Sequence, residues 1–418
     1  MKRILFLDHP QFTSATYYLW QGLKELEALF PKDLMISSYP YIPINYDEDG
    51  CDLRSLTWFN QMRDLVEWSK SGRAHLPSGI PPFQETEYLM AENATGISRG
   101  YPWFRPKKEN IVESEDQAIR MLRDRKFDAI ILGNGNRVPT LMLARLRDWV
   151  KELPPIIYYD AGERDELNEH WVHVFKPAVV FKQILTPSVR TLGMTKNIDG
   201  YDLKLYPLPL SSQMVDSDIN LEGISIQWLR KRSRTSKKLL NVFYYMGDTW
   251  VERASAMEAI DDLLYEKRIS AVGKCSYVDY HYVLANSKMA VSMRGSGRDS
   301  NRYWEIPLYS TAMVSDGTMG CIHPYPFEDK KTALFYRSIE ELVSIVGGGI
   351  DDGSEVSRVA GAGQDHLQKY HSVSARAVFF LDILDKEINL FDNGLRDSIS
   401  GWKTGRKWDG RPWEGLVV

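Results

Sequence analysis

Short, largely apolar runs recur along this chain, and each stops at a polar or glycine-containing turn. Ile4–Leu7 ends at Asp8-His9, Phe127–Leu132 ends at Gly133-Asn-Gly-Asn136, and Pro155–Tyr159 ends at Asp160-Ala-Gly-Glu163-Arg-Asp165. Segments with helical spacing of their apolar residues separate these runs: Tyr17–Leu29, Glu113–Arg125 and Leu141–Leu153. A run that is apolar at every position, rather than at alternate ones, suits a strand covered on both faces. Strand and helix in strict alternation then predict an α/β fold with an open parallel sheet. Ala178–Phe181 and Gln183–Leu185 are further short strand candidates, and Pro207-Leu-Pro209 closes this first half.

A second series begins at Leu239–Tyr245, a strand reading that ends at Met246-Gly-Asp-Thr249. Helical spacing follows over Arg253–Tyr265 and Val278–Ala285, then a strand at Met289, a helix from Ser300 and a strand at Ala312. Ile339–Val346 reads as a helix broken by Gly347-Gly-Gly349, and Val373–Leu390 as a long amphipathic one. The predicted organisation is an N-terminal Rossmann-like domain over 1–210 and a C-terminal one over 239–385, facing each other across a cleft. Residues 211–238 read as a linker and 386–418 as a Trp- and Gly-rich tail. Six of the nine residues from Arg230 to Lys238 are basic, which reads as solvated linker, with a nucleic-acid or membrane patch as the alternative. An insertion from about 40 to 110 is rich in Pro, Gly and aromatics, with one helix near Leu56–Lys70. Its Trp58, Trp68, Tyr88, Trp103 and Phe104 suit either an acceptor platform or a small accessory core.

Composition narrows the function classes. A chain of 418 residues with 43% hydrophobic and 26% charged residues is that of a soluble globular protein with room for two domains. A net charge of −4 gives no general pull toward nucleic acid or anionic membrane. The three cysteines, Cys51, Cys275 and Cys321, are widely separated, so neither a zinc site nor a disulfide framework is expected. No apolar run approaches the roughly 18 residues of a membrane span, the N-terminus shows no signal-peptide pattern, and a cytoplasmic location is expected. No strand–GxGxxG–helix unit opens the chain, which argues against a dinucleotide-dependent oxidoreductase.

The densest chemistry lies in Ser292-Met-Arg-Gly-Ser-Gly-Arg-Asp-Ser-Asn-Arg-Tyr-Trp-Glu305, between two apolar runs. Ligands of open α/β sheets bind at the carboxyl ends of strands, where this loop is placed. Gly295 and Gly297 would allow close backbone approach to phosphate oxygens. Ser300 could cap a helix whose N-terminal amides attract anions. Arg294, Arg298 and Arg302 could contact a diphosphate. Glu305, three residues after Arg302, could accept from both hydroxyls of a ribose, unless it simply pairs with Arg302.

The run Tyr282–Glu305, with Ser287-Lys288 before its strand and Ser300-x-Arg302-x-x-Glu305 after its loop, resembles the donor-binding segment of exostosin-like and CgeB-type glycosyltransferases. Phe243-Tyr-Tyr-Met-Gly247 with Arg253 resembles the opening of their donor domain, and Asp365–Leu384 with His371 and Arg376 resembles its closing helices. The likeness spans roughly 239–385. It implies a GT-B architecture of two Rossmann-like domains whose C-terminal helix returns toward the N-terminal one. It implies a nucleotide-diphosphate sugar as co-substrate, with UDP or GDP as the expected nucleotide, no cofactor and no catalytic metal. Glu305 would hold the donor ribose, while Arg294 and Arg302 would face the diphosphate. The chain departs from the pattern after Glu305: Tyr309-Ser-Thr311 replaces the usual small-residue turn, and Met313 stands where retaining enzymes often carry a second acid.

An inverting transferase needs a base within reach of the acceptor hydroxyl. Asp8 and His9 follow one N-terminal strand, Asp160 and Glu163 another, and these are the candidate catalytic residues. His170, His173, His281 and His371 read as packing or surface residues. The acceptor is open: a glycan, a small molecule or a modified biopolymer. An epimerase or phosphorylase of the same architecture, and a non-catalytic nucleotide-sugar binder, are the competing readings.

Overall fold

The computed structural model describes residues 1–7, 14–39, 112, 114–133, 137–162, 167, 169–186, 203–212, 220–221, 224–246, 251–270, 272–295, 298–316 and 321–391. The chain divides into two compact units. The first comprises Met1–Gln183, Ser188–Pro207 and Ala377–Lys407, and the second Ile184–Pro187, Leu208–Arg376 and Trp408–Val418.

The first unit contains, in chain order, β1 (Lys2–Leu7), α1 (Ser14–Leu29), β2 (Leu34–Tyr39), α2 (Glu115–Arg123), β3 (Ala129–Gly133), α3 (Arg137–Trp149), β4 (Ile156–Asp160), α4 (Glu169–Phe175), β5 (Val179–Lys182) and β6 (Leu205–Pro207). The strands form one sheet in the order β2-β1-β3-β4-β5-β6, parallel throughout. All five residues of β3 are buried, as are the last four of β1 and of β4, which is why these strands read as continuous apolar runs. Helix α2 shows how local chemistry sets the boundaries. Ser114 accepts from the Gln117 amide, Glu115 and Asp116 sit at the positive end of the helix dipole, and Arg120 and Arg123 sit at the negative end.

The second unit contains a short antiparallel pair, β7 (Asn220–Leu221) and β8 (Ile224–Ser225), then α5 (Ile226–Thr235), β9 (Leu240–Phe243), α6 (Val251–Glu266), α7 (Tyr277–Asn286), β10 (Ser287–Ser292) and α8 (Asn301–Glu305). A single 3-10 turn at Pro307–Tyr309 leads to β11 (Ala312–Ser315), β12 (Leu334–Phe335), α9 (Ile339–Asp351), α10 (Gly353–Tyr370) and α11 (Val373–Ile388). Its sheet runs β12-β11-β10-β9, again all parallel. From Ala377 onward α11 belongs to the first unit, where Phe380 lies 4.6 Å from Phe181 ring to ring and Glu387 pairs with Lys204 at 2.9 Å.

Three expectations change. The basic stretch within 211–238 is not a linker but α5, capped by Ser225 and anchored by buried Ile226, Leu229 and Ser233. Its last lysine, Lys238, turns inward and donates to the carbonyls of Ala285 and Tyr309, both at 2.8 Å, and burial pushes its ammonium down to about 7. Gln183–Leu185 is not a strand; the chain leaves the sheet after Lys182. The three glycines 347–349 do not break α9, which runs through them to Asp351. Only Gly349 is required by packing: a Cβ there would stand 2.6 Å from the Met289 sulfur of β10 and 2.8 Å from Val356, whereas at Gly348 nothing lies within 4 Å. The aromatic insertion with its helix near 56–70, and the tail beyond 391, lie outside the described residues.

The same close packing recurs in α10 and makes two substitutions on one helix differ in sign. A Cβ on Gly363 would meet the Thr332 carbonyl oxygen at 2.6 Å, whereas at Gly361 nothing lies within 4 Å. Gly361→Ala should stabilise the protein by about 0.4–1 kcal/mol through lost unfolded-state entropy. Gly363→Ala should destabilise it by about 1–3 kcal/mol, because a backbone carbonyl cannot rotate away. Urea midpoints of the two variants check this; two shifts of the same sign would show that the approach is softer than the geometry indicates.

Candidate functional site

The site is built on the carboxyl ends of β9, β10 and β11. Beyond β10 the chain passes through Met293 to Arg294, whose amide donates to Asp316 Oδ2 at 3.1 Å across the end of β11. Arg253, on the first turns of α6, donates through Nε to the Arg294 carbonyl at 2.9 Å and through Nη2 to the Met293 carbonyl at 2.7 Å. The start of the loop is thus held by an arginine on one side and an aspartate on the other. Burial pushes the Asp316 carboxyl up and the Arg253 guanidinium down, with neighbouring Arg302 reinforcing the latter. Tyr336, just past β12, faces the same cluster; burial pushes its phenol well above the usual range, and the Asp316 charge adds to that.

Helix α8 is a single turn, too short to be stable by itself. It is fixed by what its side chains bury. Tyr303 and Trp304 lie in an aromatic cluster with Phe327, His323 and His371, and the Arg376 guanidinium lies 5.2 Å from the Trp304 ring. Asp299, itself buried, accepts the Trp304 indole N–H at 2.7 Å through one oxygen and the Leu210 amide at 2.7 Å through the other. The polar side of the turn faces α7. Glu305 accepts from the Tyr280 hydroxyl at 2.9 Å, and burial pushes its carboxyl up, against the opposing pull of Tyr280 and Arg302.

The expected residues fall into distinct groups. Arg294, Gly295, Arg298, Ser300, Arg302 and Glu305 all lie on the β10–α8 connection or on α8, and Gly297 lies outside the described residues. Ser300 stands at the N-cap position, but its hydroxyl makes no capping bond. Arg302 is not presented to a diphosphate as expected. Its Nη1 donates to the Tyr245 carbonyl at 2.7 Å, and its guanidinium lies 5.6 Å from the Phe243 ring and 5.5 Å from that of Tyr280. It ties the end of β9 to α8, and the ordinary Arg302–Glu305 pair does not form. Arg294 extends its side chain toward Glu252 at 3.6 Å, a partly exposed contact of small energetic weight.

Of the four candidate bases, Asp8, His9 and Glu163 lie outside the described residues. Asp160 is described, and both of its oxygens are engaged. Oδ2 pairs with Lys182 at 3.2 Å and Oδ1 accepts the Gly162 amide at 3.1 Å, while Lys182 also donates to the Gly162 carbonyl at 3.1 Å. Asp160 and Lys182 are register partners on β4 and β5, and both are buried. The pair shapes the turn after β4 and leaves Asp160 poorly placed to take a proton from an acceptor. Tyr280, Asp316 and Tyr336 were not singled out from the sequence as site residues. Asp316 carried a readable signal, an acid at the end of an apolar strand; the two tyrosines carried none among the chain's 22.

Three described histidines, His281, His323 and His371, are buried packing groups. His281 is buried with Nδ1 2.9 Å from the Tyr309 hydroxyl, and burial pushes its pKa to about 3. His323 is likewise pushed to about 3, and His371 well below its usual range, by burial and then by Arg376. The unfolded chain therefore binds more protons than the folded one below about 6.5, so stability should fall as pH drops from there toward 3. Urea midpoints between those limits check the sign, and a flat or rising profile would contradict neutral burial. Among the described residues no group of His, Cys, Asp or Glu could hold a metal ion, and no helix is long and apolar enough to cross a membrane.

Comparison with known proteins bears most directly on this half of the chain. Residues 226–382 match the family model described as glycosyl transferase-like. No curated protein matches the chain. Solved structures similar to it include Anabaena Alr3699/HepE in complex with UDP and glucose, at 11% identity over 92% of this chain and 100% of that one, TM-score 0.46. An alpha-glucosyltransferase in complex with UDP-glucose and DNA containing an abasic site is 9% identical over 91% of this chain and 98% of that one, TM-score 0.48. Sucrose-phosphate synthase from Thermosynechococcus elongatus is 11% identical over 94% and 100%, TM-score 0.45.

Proposed function

From the match of residues 226–382 to a glycosyl transferase-like family, we propose that this protein is a GT-B glycosyltransferase moving a sugar from a nucleotide-diphosphate donor to an acceptor hydroxyl. The observation that carries the reading is the placement of Glu305. It is a half-buried acid at the carboxyl end of the parallel sheet, fixed by Tyr280, and located within the matched segment. A carboxylate there can accept from both ribose hydroxyls of a nucleotide. Arg294 and Arg298, on the loop before α8, would contact the diphosphate and stabilise its charge as it leaves, without a catalytic metal. Arg253, Arg302 and Asp316 act one step back, fixing the loop and the end of β9. The base that takes the acceptor proton is assigned to Asp8, His9 or Glu163.

The test is calorimetry of the full chain with UDP, GDP, ADP, CMP and dTDP, followed by hydrolysis of the matching nucleotide sugars. Selective binding of one nucleotide, with slow release of free sugar, supports a transferase. Binding without any turnover across donors and acceptors would make the protein a nucleotide-sugar binder. Absence of binding by all five would return α8 to a purely structural role.

A further inference from the structure

Helix α5 presents a face that the fold does not use. Its inner side buries Ile226, Leu229 and Ser233. On its outer side Trp228 is 50% exposed, and the Arg232 guanidinium lies 5.0 Å from its ring. Lys231, Arg232 and Lys237 are exposed, Arg230 is half-buried, and Arg234 pairs with Asp365. Beyond the helix further apolar surface is exposed. Leu239 is 72% exposed, and its amide donates to the Asn286 carbonyl at 2.9 Å, at the end of the neighbouring α7. Asn286 in turn donates to the carbonyl of Tyr282, one turn back, whose ring is 42% exposed. Helix α5 carries no acid and α7 carries one, Asp279, which accepts from Ser276, while Asp365 of α10 is already paired with Arg234. Cations therefore dominate this patch on a chain whose net charge is −4.

We propose that the α5–α7 face docks the protein on an anionic lipid bilayer. Clustered Lys and Arg on a helix are drawn to an anionic leaflet, while Trp and Tyr favour the headgroup boundary. A bare leucine beside them gains by entering the acyl edge, as in helices that lie in the interface plane. A nucleic-acid strand fits less well. It would stack on the Trp228 ring, whose surroundings Arg232 already occupies, and it offers nothing to Leu239. At ten residues α5 lies on the surface rather than spanning it. An acceptor held at a bilayer would then be met by an enzyme already concentrated there. The inference rests on the surface alone and holds whether or not the donor site binds nucleotide.

The experiment is co-sedimentation of the full chain with phosphatidylcholine vesicles, with and without phosphatidylglycerol. Binding is expected only to the mixed vesicles, falling as salt rises. Lys231→Gln and Arg232→Gln should each weaken it about fivefold. Trp228→Ser and Leu239→Ser should weaken it with the charge unchanged. All four positions are exposed, so their melting temperatures should match the parent. No binding to anionic vesicles, or binding that all four variants leave intact, overturns the proposal. So does tighter binding to a single-stranded oligonucleotide that depends on the same residues, which would make the face a nucleic-acid surface.

Discussion

Glu305→Gln is expected to weaken nucleotide binding on the order of a hundredfold while leaving the melting temperature unchanged or raised. The two effects separate because the carboxylate is costly where it sits. Burial pushes its pKa up, so the ionised form is disfavoured in the folded protein. Glutamine removes that cost, and its amide oxygen can still accept the Tyr280 hydroxyl. What it loses is the charge that strengthens both bonds to a ribose diol, about 3 kcal/mol together. The pH dependence follows the same logic. Nucleotide affinity should decline as pH falls through the raised pKa, above the ordinary value of 4.5, because the protonated acid no longer accepts from both hydroxyls. Calorimetry with the preferred nucleotide, alongside thermal melts, decides the matter. A fall in melting temperature with unaltered affinity would make Glu305 a structural acid and remove the main support for the donor site.

Lys182→Met is expected to cost about 3–5 kcal/mol, because it leaves Asp160 buried without its cation. That is a large share of the roughly 5–15 kcal/mol that holds a typical domain together, so the first unit should unfold at a much lower urea concentration. Replacing both partners, Asp160→Leu with Lys182→Met, should recover much of the loss, since it is the unpaired charge and not the missing bridge that costs most. If the single variant is as stable as the parent, water reaches Asp160 and the turn after β4 is looser than its hydrogen bonds indicate.

These two residues show what a sequence can and cannot reveal. Strands buried on both faces were legible as apolar runs, and β1, β3, β10 and β11 stand where such runs predict, whereas the edge strands β2, β6 and β12 carried no such run and were not read. Glu305 and its loop were legible because residue type and spacing at a strand end carry chemistry. The lysine opposite Asp160 was not, because it is set by strand register across an α–β crossover, which leaves no local mark. The roles of the arginines were hidden for a similar reason. Arg302 reads as a phosphate ligand by charge, yet it is spent on a carbonyl of the neighbouring strand and two aromatic rings. Helix α5 was misread because its polarity resembles a linker, whereas three buried positions suffice to dock it. The glycine run of α9 reads as a break because helix propensity penalises glycine and says nothing of the close approach to β10 at Gly349.

The return of α11 to the first unit sets an order of assembly. Glu387 meets Tyr206 from 181 positions further along the chain, and Phe380 covers Phe181 of β5. Nearly all of the second unit lies between those partners. During synthesis the first sheet emerges early but stays uncovered at its β5–β6 end until the whole second unit has followed. That unit, nearly contiguous, can close first. The half that begins the chain is thus the half that finishes folding last, and a chain interrupted before Ala377 would carry most of the second unit while the first kept an apolar flank open.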